Sequence, residues 1–213
     1  MSTDRASELR LPKSRVRAAS ALRTLGHALV AHDASETDLD RLAALAAEFA
    51  SRLLAGSSRR RRLSAMRVEG FTRKSLDGEV MEHFPDCLVS GKANPMGMAI
   101  DVCREGDDAV ARVRLGAAFE GAPGRAHGGV VAAIFDDTMG YVLSLLSEPA
   151  FTARLSVSYL APTPMGEGLE FRARLRAREG RKLFIEGEAR HEATVIAEAE
   201  GLFITIPLEG FGE

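Results

Sequence analysis

The spacing of apolar residues changes along the chain from a helical period to a strand period. Before residue 56, apolar side chains recur every three or four positions in two stretches, Val16–Leu29 and Leu39–Leu53. This spacing is typical of amphipathic helices. Ser35 with an acid three residues later, Asp38, resembles the capping box that begins a helix, and Gly56 is well placed to end it. The pattern predicts an N-terminal helical hairpin.

From about residue 96, apolar and polar residues alternate, which predicts β-strands. The alternating or apolar segments are 98–103, 109–115, 155–159, 171–177, 183–187 and 194–206. Residues 128–146 instead are apolar nearly all round, which predicts a helix buried on most faces. Short turns favour antiparallel neighbours, and a sheet must cover such a helix. The predicted fold is α+β, a curled antiparallel sheet wrapped around one long central helix.

A basic run, Ser57–Arg62, separates the two patterns. No aromatic residues are interleaved with it, which favours a solvated linker over a phosphate-binding patch. We therefore predict two domains, a helical hairpin with a basic linker over residues 1–64 and the sheet-and-helix domain over residues 65–213.

Composition and charge narrow the possible partners and compartment. The formal net charge of −2 gives no reason to expect nucleic acid. Cys87 and Cys103 are the only cysteines, which indicates reduced thiols. The Arg- and Ser-rich N-terminus resembles an organelle transit peptide, but its Asp4 and Glu8 are unusual for one. No apolar run approaches the roughly 20 residues of a membrane span. We expect a cytoplasmic protein without a membrane span.

The start of the predicted central helix has the composition of an anion-binding site. His127 precedes Gly128 and Gly129, and the first N–H groups of a helix lack intrahelical partners and carry the positive end of its dipole. Glycines admit a close approach, so this helix start suits either a developing oxyanion or simply tight packing. Asp136 follows six apolar residues and is expected to be partly buried, whereas Asp137 could face solvent.

The distance between the two ends of this motif indicates a shared site. Gly128 and Asp136 are eight residues apart, which is about 12 Å along a helix axis. One carbonyl group cannot contact both within one helix. Two antiparallel helices across a two-fold axis would bring the start of one to the middle of the other. If the motif is catalytic, each site combines residues of two protomers.

Four segments, in order, resemble hotdog-fold acyl-CoA thioesterases, in the branch that includes the phenylacetyl-CoA thioesterases and the human thioesterase superfamily members. They are Cys87–Gly97, in which Ser90 stands at the family's second Cys; His127-Gly-Gly-x6-Asp136-x3-Gly140; Thr152–Pro162; and Glu179–Phe184. The resemblance covers about residues 82–207 and implies the hotdog fold.

The resemblance also implies a role for individual residues. Asp136 would be the nucleophile or general base, and the Gly128 N–H would polarise the thioester carbonyl. His127 would shape that end of the site, and the Thr152 hydroxyl would hydrogen-bond the attacking water or the carboxylate. The substrate-binding residues would be Gly129, Asp137, Arg181 and Lys182, the last two in a basic turn that contacts coenzyme A phosphates in relatives. That turn is equally consistent with an exposed hairpin.

Together these features predict an acyl-CoA thioesterase that forms a homodimer or a dimer of dimers. The five His show no ligand spacing, so we expect no metal or other cofactor. Some relatives carry Asn six residues before the His, where this chain has Gly121, so one contact of the site is expected to be missing. This absence leaves an alternative open, a non-catalytic acyl-CoA-binding or regulatory hotdog protein.

Two further features are interpreted as unrelated to the site. His83-Phe-Pro85 resembles a dehydratase motif but lies far before the helix, which has no second acid-and-His pair. The arginines at 172, 174, 176 and 178 alternate along a strand and are expected to form a solvated surface rather than a phosphate site.

Overall fold

A computed structural model describes residues 12–59, 75–81 and 84–206. Within these residues the fold is α+β, with three helices and a seven-stranded antiparallel sheet. The helices are α1 (Lys13–Ala31), α2 (Glu36–Leu54) and α3 (Gly128–Leu145). The strands are β1 (Val80–Met81), β2 (Asp101–Glu105), β3 (Asp108–Val113), β4 (Ala150–Tyr159), β5 (Leu169–Glu179), β6 (Lys182–His191) and β7 (Thr194–Thr205).

The sheet curls around α3, as the sequence predicts. Its strand order is β1-β2-β3-β5-β6-β7-β4, and every neighbouring pair is antiparallel. Two glycines on neighbouring strands leave room for the helix. A Cβ at Gly187 would lie 3.0 Å from both Phe135 and Met139, and one at Gly201 would lie 2.8 Å from the Met139 sulfur. The absence of these two side chains lets α3 pack closely on the sheet.

The central helix is apolar enough to resemble a membrane span, which the sequence analysis did not anticipate. Gly128–Leu145 has 18 residues and a mean hydropathy of 1.2, so by length and composition alone it could cross a bilayer. Half of it is buried inside the fold, where Ile134, Phe135 and Met139 are inaccessible to solvent. Packing beneath the sheet accounts for this apolar composition, since the core helix of a globular domain has the same character.

Strand β4 returns antiparallel to α3 and forms one edge of the sheet. It pairs on one side with β7, and no described strand pairs with its other side. Most of its residues are exposed, including Phe151 at 60% and Tyr159 at 52%. Since edge strands present unpaired N–H and C=O groups, β4 provides an open surface beside α3.

Both predicted N-terminal helices are present, but they do not pack side by side as a hairpin. Ser35 caps α2 as predicted, because the Asp38 N–H donates to Ser35 Oγ at 3.1 Å. Helix α1 instead docks on the sheet domain. Arg23 donates to the carbonyl of Asn94 at 2.7 Å, and His27 Nδ1 accepts the Ala118 N–H at 3.1 Å. Helix α2 has no buried residue.

The predicted domain boundary near residue 64 lies outside the described residues, as does the dehydratase-like His83. The boundary therefore stays a prediction. Of the basic linker, only residues 57–59 are described, and Arg59 forms an ion pair with Asp86 at 2.8 Å.

Candidate active site at the start and middle of α3

His127 caps the start of α3 with its own side chain. It is the N-cap residue, and its Nδ1 accepts the Gly129 N–H at 2.9 Å. Because Nδ1 accepts, the neutral ring carries its proton on Nε2. Among the described residues, the Gly128 N–H has no acceptor. The Gly128 N–H is thus the one donor at the start of α3 without a partner, and it is the group that the family resemblance expects to stabilise the oxyanion.

Both glycines of the motif have close neighbours. A Cβ at Gly128 would lie 3.2 Å from Tyr159 Oη, and one at Gly129 would lie 3.1 Å from His127 Nδ1. The Tyr159 hydroxyl donates to the Gly128 carbonyl at 2.7 Å. This hydrogen bond joins the start of α3 to the end of β4. The sequence analysis did not single out Tyr159, whose only signal was its place in the strand alternation.

Asp136 and Thr152 form a hydrogen-bonded pair at the middle of α3. Thr152 Oγ1 donates to Asp136 Oδ1 at 2.9 Å, and both residues are exposed. The expectation that Asp136 is partly buried is therefore wrong for the single chain. At 100° per residue, Asp136 lies on the side of the helix that also carries Gly129 and Gly140, and Gly129 is exposed as well.

Asp137 is the buried carboxylate of the two, so the suggestion that it faces solvent is wrong. The Cys87 thiol donates to Asp137 Oδ1 at 3.1 Å. Asp137 Oδ2 and the neighbouring Ser90 Oγ are both buried without a hydrogen bond of acceptable geometry. Burial raises the pKa of Asp137 and also that of the Cys87 thiol. Asp137 therefore contacts the loop that contains Cys87 and Ser90, whereas Asp136 bonds to Thr152.

The basic turn at Arg181 and Lys182 lies at the same end of the sheet as Thr152. Lys182 of β6 is opposite Ile204 of β7. Ile204 is in turn opposite Phe151 of β4, the residue before Thr152. Two strand spacings separate the turn from β4, about 10 Å. Both basic residues are exposed, and Arg181 donates through Nε and Nη2 to the Thr205 carbonyl at 3.0 and 2.9 Å. This contact fixes the Arg181 guanidinium near the site.

Gly121 packs directly against the residue that caps α3. A Cβ there would lie 2.9 Å from His127 Cα, and the Gly121 N–H donates to the Arg125 carbonyl at 2.9 Å. An Asn at this position would require the turn before α3 to shift. The missing Asn therefore has a local structural cause in this chain.

The arginines along β5 form the surface expected of them. Arg174 pairs with Glu186 at 2.6 Å and Arg176 with Glu200 at 2.7 Å, and Arg172 bridges Glu105, Asp108 and Glu170. Arg178, the fourth of the row, pairs with Glu148. Since each guanidinium has at least one carboxylate partner, this row does not present free charge to a phosphate. Within the described ranges no three His, Cys, Asp or Glu side chains could together hold a metal ion.

Similarity to known proteins agrees with this fold and site. Residues 123–197 match the model of the thioesterase superfamily. A solved thioesterase superfamily protein, RHA08564, is 28% identical with a TM-score of 0.74, covering 89% of this chain and 90% of that one. The resemblance to hotdog-fold thioesterases and the predicted hotdog fold are thereby confirmed.

Two relatives have more specific names. Acyl-coenzyme A thioesterase THEM4 of Bos taurus is 28% identical over 157 residues, which is 70% of this chain and 65% of the relative. The Mus musculus protein of the same name is 36% identical over 93 residues, 43% of this chain and 40% of the relative. The chain thus matches less than two thirds of either length. The names agree with the thioester hydrolase expected from the sequence.

Proposed function

We propose that this protein hydrolyses an acyl-CoA thioester to the free acid and coenzyme A. One observation carries the proposal, the hydrogen bond from Thr152 Oγ1 to Asp136 Oδ1. Because this bond occupies one carboxylate oxygen, Oδ2 is left to act on water or on the carbonyl. A residue pair of this type suits general-base or nucleophilic chemistry. The THEM4 and THEM5 relatives, which are named as acyl-coenzyme A thioesterases, support the same substrate class.

The reaction has two possible first steps at Asp136. In one, Asp136 removes a proton from water, the hydroxide adds to the acyl carbon, the C–S bond breaks and the thiolate takes up a proton. In the other, the carboxylate itself attacks the acyl carbon, the C–S bond breaks, the coenzyme A thiolate leaves and takes up a proton, and the resulting anhydride is hydrolysed by water to the free acid and the Asp136 carboxylate. In both, negative charge develops on the carbonyl oxygen, where the free Gly128 N–H at the positive end of the helix dipole can stabilise it.

We further propose that each site is shared by two protomers. Within one helix, Gly128 and Asp136 are separated by about 12 Å along the axis, too far to act on one carbonyl. Asp136, Gly129 and the β4 edge are exposed in the single chain, which supports their being covered by a second copy. Arg181 and Lys182, near Thr152, are proposed to contact the coenzyme A phosphates.

The first test is hydrolysis of a panel of acyl-CoAs, followed by thiol release with a thiol-reactive dye. We expect turnover by the natural chain and its loss in Asp136→Asn. The variant should keep its thermal stability and acyl-CoA affinity, because Asn can still accept the Thr152 hydrogen bond. Tight acyl-CoA binding by both proteins without turnover would instead support the alternative of a non-catalytic acyl-CoA-binding protein, to which Gly121 lends some support.

Mixing two inactive variants tests whether the site is shared. Asp136→Asn lacks the carboxylate, and Gly128→Pro lacks the oxyanion donor. In a mixed dimer one site has both defects and the other has neither. If subunits exchange randomly, half of the dimers are mixed, so about a quarter of the natural activity should return. A mixture as inactive as its components, with exchange verified by mass, would contradict sharing.

A further inference from the structure

The first two helices expose apolar faces that nothing in the described part of the chain covers. On α1, Leu22, Leu25 and Leu29 are exposed by 53%, 40% and 49%. On α2, Phe49 and Leu53 are exposed by 56% and 77%. The residues of each set lie on one side of their helix at 100° per residue. Such apolar faces on surface helices mark interaction sites rather than the ordinary scatter of exposed apolar residues.

Helix α1 docks on the sheet domain through a different side from its leucines. The docked side carries the buried Ala19, with Arg23 and His27 bonded to the domain. The position of α1 is therefore fixed while its leucine face points elsewhere. Helix α2 follows after a short connection, residues 32–35, and is not packed against that face. The apolar face of each helix is thus left uncovered by the described part of its own chain.

The charges on the two helices complement each other when the helices run parallel and not when they run antiparallel. Both helices have 19 residues. Helix α1 carries Lys13, Arg15 and Arg17 at its first, third and fifth positions and has no acid, whereas α2 carries Glu36, Asp38 and Asp40 at those same positions. Of these, Arg15 and Asp38 lie on the apolar sides of their helices at 100° per residue, and a parallel alignment places the two opposite charges beside each other. An antiparallel alignment places Arg15 beside Arg52, where like charges repel.

A parallel alignment cannot form within one chain. A four-residue connection permits only an antiparallel neighbour, because a parallel one must first span the 19-residue helix, about 28 Å. In the parallel alignment the apolar faces also match. Leu22 and Leu45 are both the tenth residue of their helix, and Leu25 and Leu29 lie within one position of Phe49 and Leu53. Charge and apolar register therefore agree on an intermolecular partner.

We propose that α1 of one copy packs parallel to α2 of a second copy. A two-fold axis then forms this contact twice and produces a four-helix layer. The layer adjoins the start of α3, because the His27 ring contacts Phe119, whose carbonyl accepts the His127 N–H at 2.9 Å. The partner is a second copy of this chain. The proposal concerns assembly and does not depend on hydrolysis.

The proposal is tested with matched charge insertions on α2. Phe49→Glu with Leu53→Glu changes the apolar face, whereas Ala44→Glu with Ser51→Glu adds the same charge to the opposite, exposed face. Sedimentation of the full chain should show weaker self-association for the first pair of substitutions alone. Its dissociation constant should be at least about tenfold higher than that of the natural chain, or the assembly should be smaller. Unchanged self-association in both, or a monomeric natural chain, would overturn the proposal.

Cross-linking tests the direction of packing. Tagged Arg15→Cys is mixed with untagged Asp38→Cys, then oxidised, and we expect a disulfide-linked heterodimer. Arg15→Cys mixed with Arg52→Cys, the antiparallel match, should give little product. The native Cys87 and Cys103 are present in every sample and set the background. Preferential Arg15–Arg52 cross-linking would overturn the parallel arrangement. Loss of vesicle binding in Phe49→Glu/Leu53→Glu, without any change in self-association, would assign this face to a lipid surface instead.

Discussion

The role proposed for the Gly128 N–H can be tested by removing that group alone. Proline has no backbone N–H and is well tolerated as the first residue of a helix, which is the position of Gly128. A proline also restricts the residue before it to extended conformations. His127 already has φ −65° and ψ 132°, so Gly128→Pro requires little change in the backbone.

Alanine provides the matched control for this substitution. Both side chains place a Cβ 3.2 Å from Tyr159 Oη, so both variants strain that contact, and only proline also removes the donor. Loss of one oxyanion donor typically lowers kcat by about 10²–10³, or about 2.7–4 kcal/mol. We expect Gly128→Pro to be slower than Gly128→Ala by a factor in this range, measured by thiol release at saturating acyl-CoA.

The comparison requires that both variants fold and assemble alike, which thermal unfolding and sedimentation can verify. The expected effect is on kcat, because the donor acts on charge that develops in the transition state. If Gly128→Pro is within about threefold of Gly128→Ala, the Gly128 N–H does not stabilise the oxyanion. The proposal that the start of α3 stabilises negative charge on the thioester carbonyl oxygen would then be withdrawn.

Three further predictions concern neighbouring residues. Thr152→Val should lower kcat/KM by about ten- to a hundredfold in the thiol-release assay, since a hydrogen bond to a charged group contributes about 1.5–3 kcal/mol, whereas Thr152→Ser should retain most activity. Asp137→Asn should become more stable relative to the natural chain as pH rises above 3.8, because burial raises the pKa of Asp137 and its stabilisation is lost as pH rises through that pKa; urea unfolding at several pH values from about 3.5 to about 8 measures this, and a difference that stays constant over the whole range would contradict it. Gly121→Asn, although it restores a residue found in some relatives, should destabilise the fold by about 1–3 kcal/mol because its Cβ meets His127 Cα; unchanged thermal stability with a gain in activity would refute that reasoning.

The fold was largely predictable from the sequence because its two apolar periods are clear. Residues 128–146 were predicted as a buried helix, and α3 spans Gly128–Leu145. The packing of α1 was not predictable in this way. Its leucine stripe suggested a hairpin partner, but the helix docks through Arg23 and His27. Polar side chains that bond to a distant backbone leave no periodic signal.

The candidate site was predictable only in part. The motif indicated a helix start at Gly128 and a carboxylate at Asp136, but spacing could not distinguish the environments of Asp136 and Asp137. Which of two adjacent residues is buried depends on the side of α3 that the sheet and the Cys87 loop cover. The contact between Asp136 and Thr152 depends on the antiparallel return of β4, so without the family resemblance it had no signal.

The position of β4 in the sheet also determines when the candidate site can form during folding. Among the described strands β4 pairs only with β7, and Ala150 is opposite Thr205. The pairing of β4, which carries Thr152, thus depends on the last of the described strands, and contacts between residues distant in sequence form slowly. Any chain released before β7 is complete would have β4 unpaired on both sides, which favours aggregation. The strand pairing that holds Thr152 beside Asp136 is therefore complete only once synthesis has passed Thr205.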